Sequence, residues 1–535
     1  MLRRLLLGLL PLVVLLALAE GLLAWLALGE GADGLHLSRG FDPRAAYLVP
    51  DAAEPGAWRT QIFDGLGDEV VVPPKGDARR VLLLGGSNTQ SFPHAELQRR
   101  LDAAARRDHP GGDAPRHEVI NLGRAGYGSE RVAILAAQAR VLEPDVVVIY
   151  SGHNEFVEGG FRLEVQTAAP GWLARTGDAL AGLRTYRVLA DAFGGTPAHD
   201  DEEAPAPETV MLGADAEATV QVGDEVVRLG ELDWSHTLRF HEAYGRNLRG
   251  MCERWLDDDV GVVLCTVVSN DLLGPTASGY PRQLSAEDRA EAGRRFKRAF
   301  ALVPERLEVH MFPPTWLRVH DWGELLFAGN PEQRPRAEGR SVPPLRPLLG
   351  ALADTPATTG PDMTSVAGAL WPDPALWSDR VYDLLAVQSA WLLGPHPADE
   401  LQRLDRARVQ FDEVLVLVPD HPLAHFWSGL CSLALGAPAR AAASLEAASR
   451  YDRAPRRGNA VTNGTVRSLA GALRDERGAD ARLVLLDADA LFRGRVPDGI
   501  LGYEVMMDMC HLQPGARVVL MDDLVAPVRA VMDAP

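Results

Sequence analysis

Arg79-Arg80-Val81-Leu82-Leu83-Leu84-Gly85-Gly86-Ser87-Asn88-Thr89 is the stretch on which the fold turns. Four consecutive apolar residues closed by two glycines read as a short strand, buried on both faces, that runs into a turn. Similar runs recur at Val119-Ile120-Asn121-Leu122, at Val146-Val147-Val148-Ile149-Tyr150, across residues 260–268 and at Leu483-Val484-Leu485-Leu486, with helical patterns between them. Strands alternating with helices at this spacing predict βαβ units, and therefore an α/β fold whose parallel sheet is covered on both faces. In such sheets reactive groups collect at the carboxyl ends of the strands.

Three of those ends carry chemistry. After the first strand, Ser87 stands on a glycine-permitted turn at a helix start, where a hydroxyl is exposed and close to backbone amide donors. Taken alone, a Gly-Gly-Ser turn is more often just a turn and a cap. After the second strand comes Asn121-Leu122-Gly123-Arg124-Ala125-Gly126-Tyr127-Gly128-Ser129. Glycines there let backbone approach a ligand and aim an N–H at it, while the plainer reading is a loop with Ser129 capping the next helix. The third strand runs into Ser151-Gly152-His153-Asn154-Glu155-Phe156. The Asn154 amide can serve a developing oxyanion, although Asn at such a turn usually bonds backbone. Near the C-terminus, Asp508-Met509-Cys510-His511 sets a carboxylate three residues before an imidazole. In a helical or turn-like segment the pair lies on one side, so that Asp508 can hold one ring nitrogen while the other faces a nucleophile. A surface pair is the plain alternative. A metal site using Cys510 and His511 is a poorer one, because no other ligand cluster is visible.

Two long segments interrupt the sheet pattern. Residues 303–394, rich in Pro, Gly, Trp and Leu, show no clean period and read as a partly helical insertion of unknown role. The next segment is more legible. Ala407, Phe411 and Val414 are echoed thirty-four residues later by Ala441, Leu445 and Ala448, with Gly429 and Gly436 in the second unit and Pro419 between. This is similar to the tetratricopeptide repeat, whose helix pairs use small residues where they cross closely. So few repeats cannot stand alone and should pack on the main domain.

The order and placement of the four blocks together resemble the SGNH (GDSL-like) hydrolase superfamily, in which Ser, Gly, Asn and His follow one another in this way. More narrowly, Gly85-Gly86-Ser87, Asn121-Leu122-Gly123 and Tyr150-Ser151-Gly152-His153-Asn154-Glu155-Phe156 resemble bacterial membrane-anchored SGNH proteins that carry tetratricopeptide helices before the final block. The resemblance implies a three-layer α/β/α sandwich of flavodoxin-like type with a central parallel sheet. It also implies a catalytic triad of Ser87, Asp508 and His511, and an oxyanion hole of Ser87, Gly126 and Asn154. Gly86 stands where many relatives have Asp, and Glu155 where many have a second Asp. Neither departure removes an atom needed for acyl transfer, so they bear on substrate more than on mechanism. The function so implied is a serine esterase that cleaves an acyl or O-acetyl ester, with no cofactor and no metal. The alternatives are an O-acyltransferase that moves the acyl group to a polysaccharide hydroxyl, and a non-catalytic scaffold in which the repeat helices bind a protein partner.

Length, charge and the N-terminus bound the setting. At 535 residues and 47% hydrophobic content the chain can bury a full core and more than one domain. A formal net charge of −19 argues against a nucleic-acid partner. Cys252, Cys265, Cys431 and Cys510 are scattered singly, without the spacing of a disulfide framework or a zinc site. Residues 5–28 are almost wholly apolar, broken by Gly, Pro11 and Glu20 and preceded by Arg3 and Arg4. That length spans a bilayer, and the basic flank predicts a cytoplasmic N-terminus with an exported body. A cleaved signal peptide is the rival, because Ala17-Leu18-Ala19 has the form of a cleavage site. The expected organisation is an anchor at 1–30, a juxtamembrane segment at 31–78 and a hydrolase first part at 79–302. The insertion follows at 303–394, then repeat-like helices at 395–455 and the hydrolase last part at 456–535. The expected location is the cell membrane, with a single span and the catalytic domain on the extracytoplasmic side, where it would meet ester or acylated-carbohydrate substrates.

Overall fold

The computed structural model describes residues 46–61, 69–110, 114–156, 219–222, 225–228, 234–275, 284–304, 396–478, 481–502 and 504–534, together with a helical stretch at 15–23 and a few single positions. In chain order the elements begin β1 (Leu48–Pro50), β2 (Trp58–Thr60), β3 (Val71–Val72), β4 (Arg79–Gly85), α1 (Ser87–Gln90), α2 (His94–Asp108), β5 (His117–Asn121), α3 (Ser129–Gln138) and β6 (Val146–Tyr150). They continue through β7 (Thr219–Val222), β8 (Glu225–Arg228), α4 (Trp234–Asp257), β9 (Gly261–Cys265), α5 (Ala286–Phe300), α6 (Ala398–Leu417) and α7 (Pro422–Ala434). The last are α8 (Pro438–Arg450), α9 (Ala460–Arg477), β10 (Leu483–Leu486), α10 (Ala488–Arg493) and α11 (Pro514–Met532).

The fold is mixed α/β around a five-stranded sheet in the order β10-β9-β6-β4-β5. Every neighbouring pair in it is parallel. Counted along the chain from the β5 edge, the order is 2-1-3-4-5, so the direction of winding reverses between β4 and β6. The two strands are in register there, with Val81 opposite Val146 and Gly85 opposite Tyr150. A crevice opens at the carboxyl ends of the strands at such a reversal.

The apolar runs are continuous because the sheet is buried on both faces. Val81, Leu83, Val146, Val148 and Val263 face one core, shared with Leu97 and Leu101 of α2, Phe492 of α10, and Leu520 and Leu524 of α11. Leu82, Leu84, Val147, Ile149 and Leu264 face the other, shared with Val132 of α3, Leu248 and Trp255 of α4, and Val466 and Leu473 of α9. Each Leu or Val so buried is worth about 1.5–3 kcal/mol. A register slip of one residue would exchange the faces of a whole strand, which is why the pairing is specified.

The strand over Leu483–Leu486 joins this sheet beside β9, although the repeat-like helices intervene in the chain. Those helices have their own core. Ala407, Phe411 and Val414 of α6 meet Ala441, Leu445 and Ala448 of α8 there, with Leu430 of α7 between. A Cβ on Gly429 would lie 2.9 Å from Leu445 Cγ, so α7 and α8 cross as closely as a glycine allows. Helix α5 packs into the same core through Ala292 and Ala299. Helix α5 thus shares a core with the repeat-like helices, although residues 303–394 separate them in the chain.

The expected juxtamembrane segment holds a further sheet, β1-β2-β3, antiparallel throughout. Tyr47, Leu48 and Val72 seat it on the second core of the main domain. Apart from Val303 and Pro304, the insertion expected at 303–394 lies outside the described residues. So does most of the anchor expected at 5–28, and among the described residues no helix is long and apolar enough to cross a membrane. On the described stretch Leu15, Leu18 and Trp25 stand exposed. The Glu20 carboxylate accepts backbone N–H groups of Arg184 at 2.5 Å and Thr185 at 3.0 Å.

Candidate active site

The first turn of α1 begins at Ser87, directly after β4. Its neighbour Gly86 is a glycine for a steric reason: a Cβ there would fall 2.5 Å from Asn154 Nδ2 and 3.0 Å from the Tyr127 carbonyl oxygen. The loops after β4, β5 and β6 therefore close on one another at this point.

His511 reaches the same point from the other end of the chain. Met506 and Leu512 form an isolated antiparallel bridge, and the Met507 N–H donates to the His511 carbonyl at 2.7 Å, so that the loop closes on itself. Inside it Asp508 Oδ1 accepts the N–H groups of Cys510 at 2.8 Å and His511 at 2.7 Å. The segment is thus a turn, of the two forms the spacing allowed. Its other carboxylate oxygen lies 2.7 Å from His511 Nδ1, and His511 Nε2 lies 2.7 Å from Ser87 Oγ. With both ring nitrogens occupied in this way, Asp508 fixes the tautomer and the lone pair of Nε2 accepts the hydrogen bond donated by the Ser87 hydroxyl. Asp508, Cys510 and His511 also bring three donor atoms within 4.8 Å of one another, but the imidazole has no nitrogen left over for an ion in this arrangement.

Electrostatics follow from the contacts. The Asp508 charge beside it, followed by Cys510, raises the pKa of His511 well above the ordinary 6.5. Burial alone would push Asp508 up, yet the His511 charge and the hydrogen bonds from His511 and Cys510 bring it down to about 2. The two side chains remain 29% and 31% exposed, so water screens part of this attraction. His153, by contrast, is kept neutral: burial first, and then the His511 charge, hold its pKa at about 3. Its Nδ1 accepts the Gly458 N–H at 2.8 Å, which ties the end of β6 to the segment before α9.

Of the other residues expected in the oxyanion hole, Asn154 lies against Gly86, and Gly126 sits in the loop after β5 whose Tyr127 carbonyl also approaches Gly86. Gly126 takes a left-handed conformation with φ of 69°, and the Asn154 amide donates to the Tyr127 carbonyl at 3.0 Å. Arg124 holds this loop to β4 through its N–H, which donates to the Gly85 carbonyl at 3.0 Å. Its guanidinium donates to Thr60 Oγ1 of β2 at 2.6 Å, so the small sheet also braces the loop. Asn121 joins β5 to α1 by donating to the Thr89 carbonyl at 2.6 Å.

Several contributors escaped the sequence reading. Asn88 is buried and makes two bonds to the His511 loop: Nδ2 donates to the Cys510 carbonyl at 2.7 Å and Oδ1 accepts the Leu512 N–H at 3.1 Å. Nothing in the string Ser87-Asn88 marks it, although it sits beside the serine. Ser129 is the first residue of α3, not its cap; the N-cap is Gly128, without a side-chain bond. Its hydroxyl instead donates to Glu155 Oε2 at 2.6 Å. The start of α3 is served by two carboxylates, Glu155 on the Ser129 N–H and Glu158 on the Glu130 and Arg131 N–H groups.

No family model matches the chain, and no match was found among curated proteins or solved structures.

Proposed function

We propose that the protein is a serine esterase of the SGNH class that cleaves an acyl or O-acetyl ester through an acyl-serine intermediate. The observation that carries this reading is the unbroken chain from Ser87 Oγ to His511 Nε2 and from His511 Nδ1 to Asp508, 2.7 Å at each link. Its position supports the reading as well, since a 2-1-3-4-5 sheet of flavodoxin-like order has its crevice where Ser87 and Asn154 leave β4 and β6.

In this mechanism Ser87 Oγ attacks the ester carbonyl carbon while its proton passes to His511 Nε2. The carbonyl electron pair moves to oxygen, and the Ser87 and Gly126 N–H groups and the Asn154 amide receive the charge. Each such donor is worth on the order of a hundred-fold in rate. The tetrahedral intermediate collapses, the alcohol leaves with the proton from His511, and Asp508 stabilises the imidazolium in between. Water, activated by His511, then releases the acid.

The raised pKa of His511 sets a requirement. The imidazole must lose its proton before it can act as base, so activity rises with pH through a His511 pKa above the ordinary 6.5. A membrane-tethered form, with residues 5–28 as the span and the catalytic domain on the extracytoplasmic side, belongs to the same proposal. It is supported by the apolar run, its basic flank and the exposed Leu15, Leu18 and Trp25. The helices α6 to α8, with their tetratricopeptide-like echo, then offer a surface for a protein partner.

The test is hydrolysis of short-chain aryl esters by the full chain, alone and with carbohydrate acceptors. Release of the acid that Ser87→Ala abolishes supports the esterase. Acyl groups appearing on the acceptor instead would make the protein an O-acyltransferase. Absence of both reactions in folded protein would leave the scaffold reading.

A further inference from the structure

Glycine at position 126 has no side chain to hold its conformation, yet an oxyanion donor must point one way before the charge forms. The neighbouring helix supplies the restraint. Arg131, in the first turn of α3, is 4% exposed, and its Nη2 donates to the Gly126 carbonyl at 2.5 Å. Its guanidinium carbon lies 4.2 Å from the centre of the Tyr127 ring. On its other edge Nε donates to Glu158 Oε1 at 3.0 Å.

Glu158 connects this grip to the other donor. Its own N–H donates to the Asn154 carbonyl at 2.9 Å, while the Asn154 amide donates to Tyr127. A Cβ on Gly128 would lie 2.5 Å from Glu158 Oε2, so the carboxylate is wedged beneath the loop that carries Gly126. A bidentate, planar guanidinium suits such a double contact, which an ammonium cannot reproduce.

We propose that Arg131, held by Glu158, is a positioning residue that locks Gly126 in its left-handed conformation and sets the oxyanion hole in register with Asn154. The inference rests on the reading of Ser87 as nucleophile. It gives a positioning role to the buried ion pair of Arg131 and Glu158.

Two variants of the full chain test it. Arg131→Lys keeps a charge opposite Glu158 but cannot reach both partners. The double variant Arg131→Met/Glu158→Gln removes both charges of the pair together. In whichever variant melts cooperatively, kcat on an aryl acetate falls about ten- to a hundred-fold, KM stays within about three-fold, and the acidic limb of the pH profile, set by His511, does not move. A folded variant with wild-type kcat, or one whose loss lies wholly in KM, overturns the proposal while the esterase reading stands. Wild-type protein that neither turns over ester nor reacts at Ser87 overturns both.

Discussion

Asn88 and Cys510 lie 422 positions apart and are joined by a hydrogen bond of 2.7 Å from the Asn88 amide to the Cys510 carbonyl. With the return bond from the Leu512 N–H, one side chain next to the serine grips both sides of His511. Replacing Asn88 by Ala leaves a buried N–H and a buried carbonyl unpaired. The expected cost is about 1–3 kcal/mol in denaturant unfolding. The esterase rate should fall with it, on the order of a hundred-fold for a displacement near 1 Å. A variant as stable and as active as the wild type would show that the His511 loop holds its place unaided.

Asp508 and His511 make a prediction in pH. The Asp508 charge raises the pKa of His511 well above 6.5, and only the neutral ring can accept the serine proton. Plotted against pH, kcat/KM should therefore climb to a plateau through an apparent pKa above 6.5. Asp508→Asn should move that limb down and lower kcat by about a hundred- to ten-thousand-fold. An acidic limb that stays put in the variant would mean that some other group controls it.

Much of this site could be read before the fold was seen, because its residues sit where strands end. A run such as Val146 to Tyr150 announces a buried strand, and the Asn154 that follows it lies in the crevice by topology alone. The turn at Asp508-Met509-Cys510-His511 was legible from a spacing. The supports were not. Arg131 and Glu158 are charged residues at the start of a helical pattern, where the ordinary expectation is a solvated face, and only their tertiary partners bury them. The sheet β1-β2-β3 went unseen because strands of two or three residues carry no measurable alternation. That α5 shares a core with the repeat-like helices through Ala292 and Ala299 has no local signature, because residues 303–394 separate them in the chain.

Glu155 and Glu158 give the stability a pH dependence. Burial first, and the Glu158 charge second, raise the pKa of Glu155 from the ordinary 4.5 to about 8. The folded chain thus keeps a proton that the unfolded chain has released across that window. Stability from this group is complete below 4.5 and is lost as pH rises through about 8. In thermal melts the wild type should lose more stability between pH 5 and pH 9 than Glu155→Gln, which stays neutral. Equal losses in the two proteins would rule out a buried proton at this site.

The nucleophilicity of Ser87 is the central claim, and its most direct measurement is covalent capture. Folded full-length protein is treated with a fluorophosphonate, digested, and the modified peptide identified by mass. A single adduct on Ser87 is expected, absent from Ser87→Ala and strongly reduced in His511→Ala. Protein that stays unmodified, or an adduct elsewhere that survives Ser87→Ala, would contradict it.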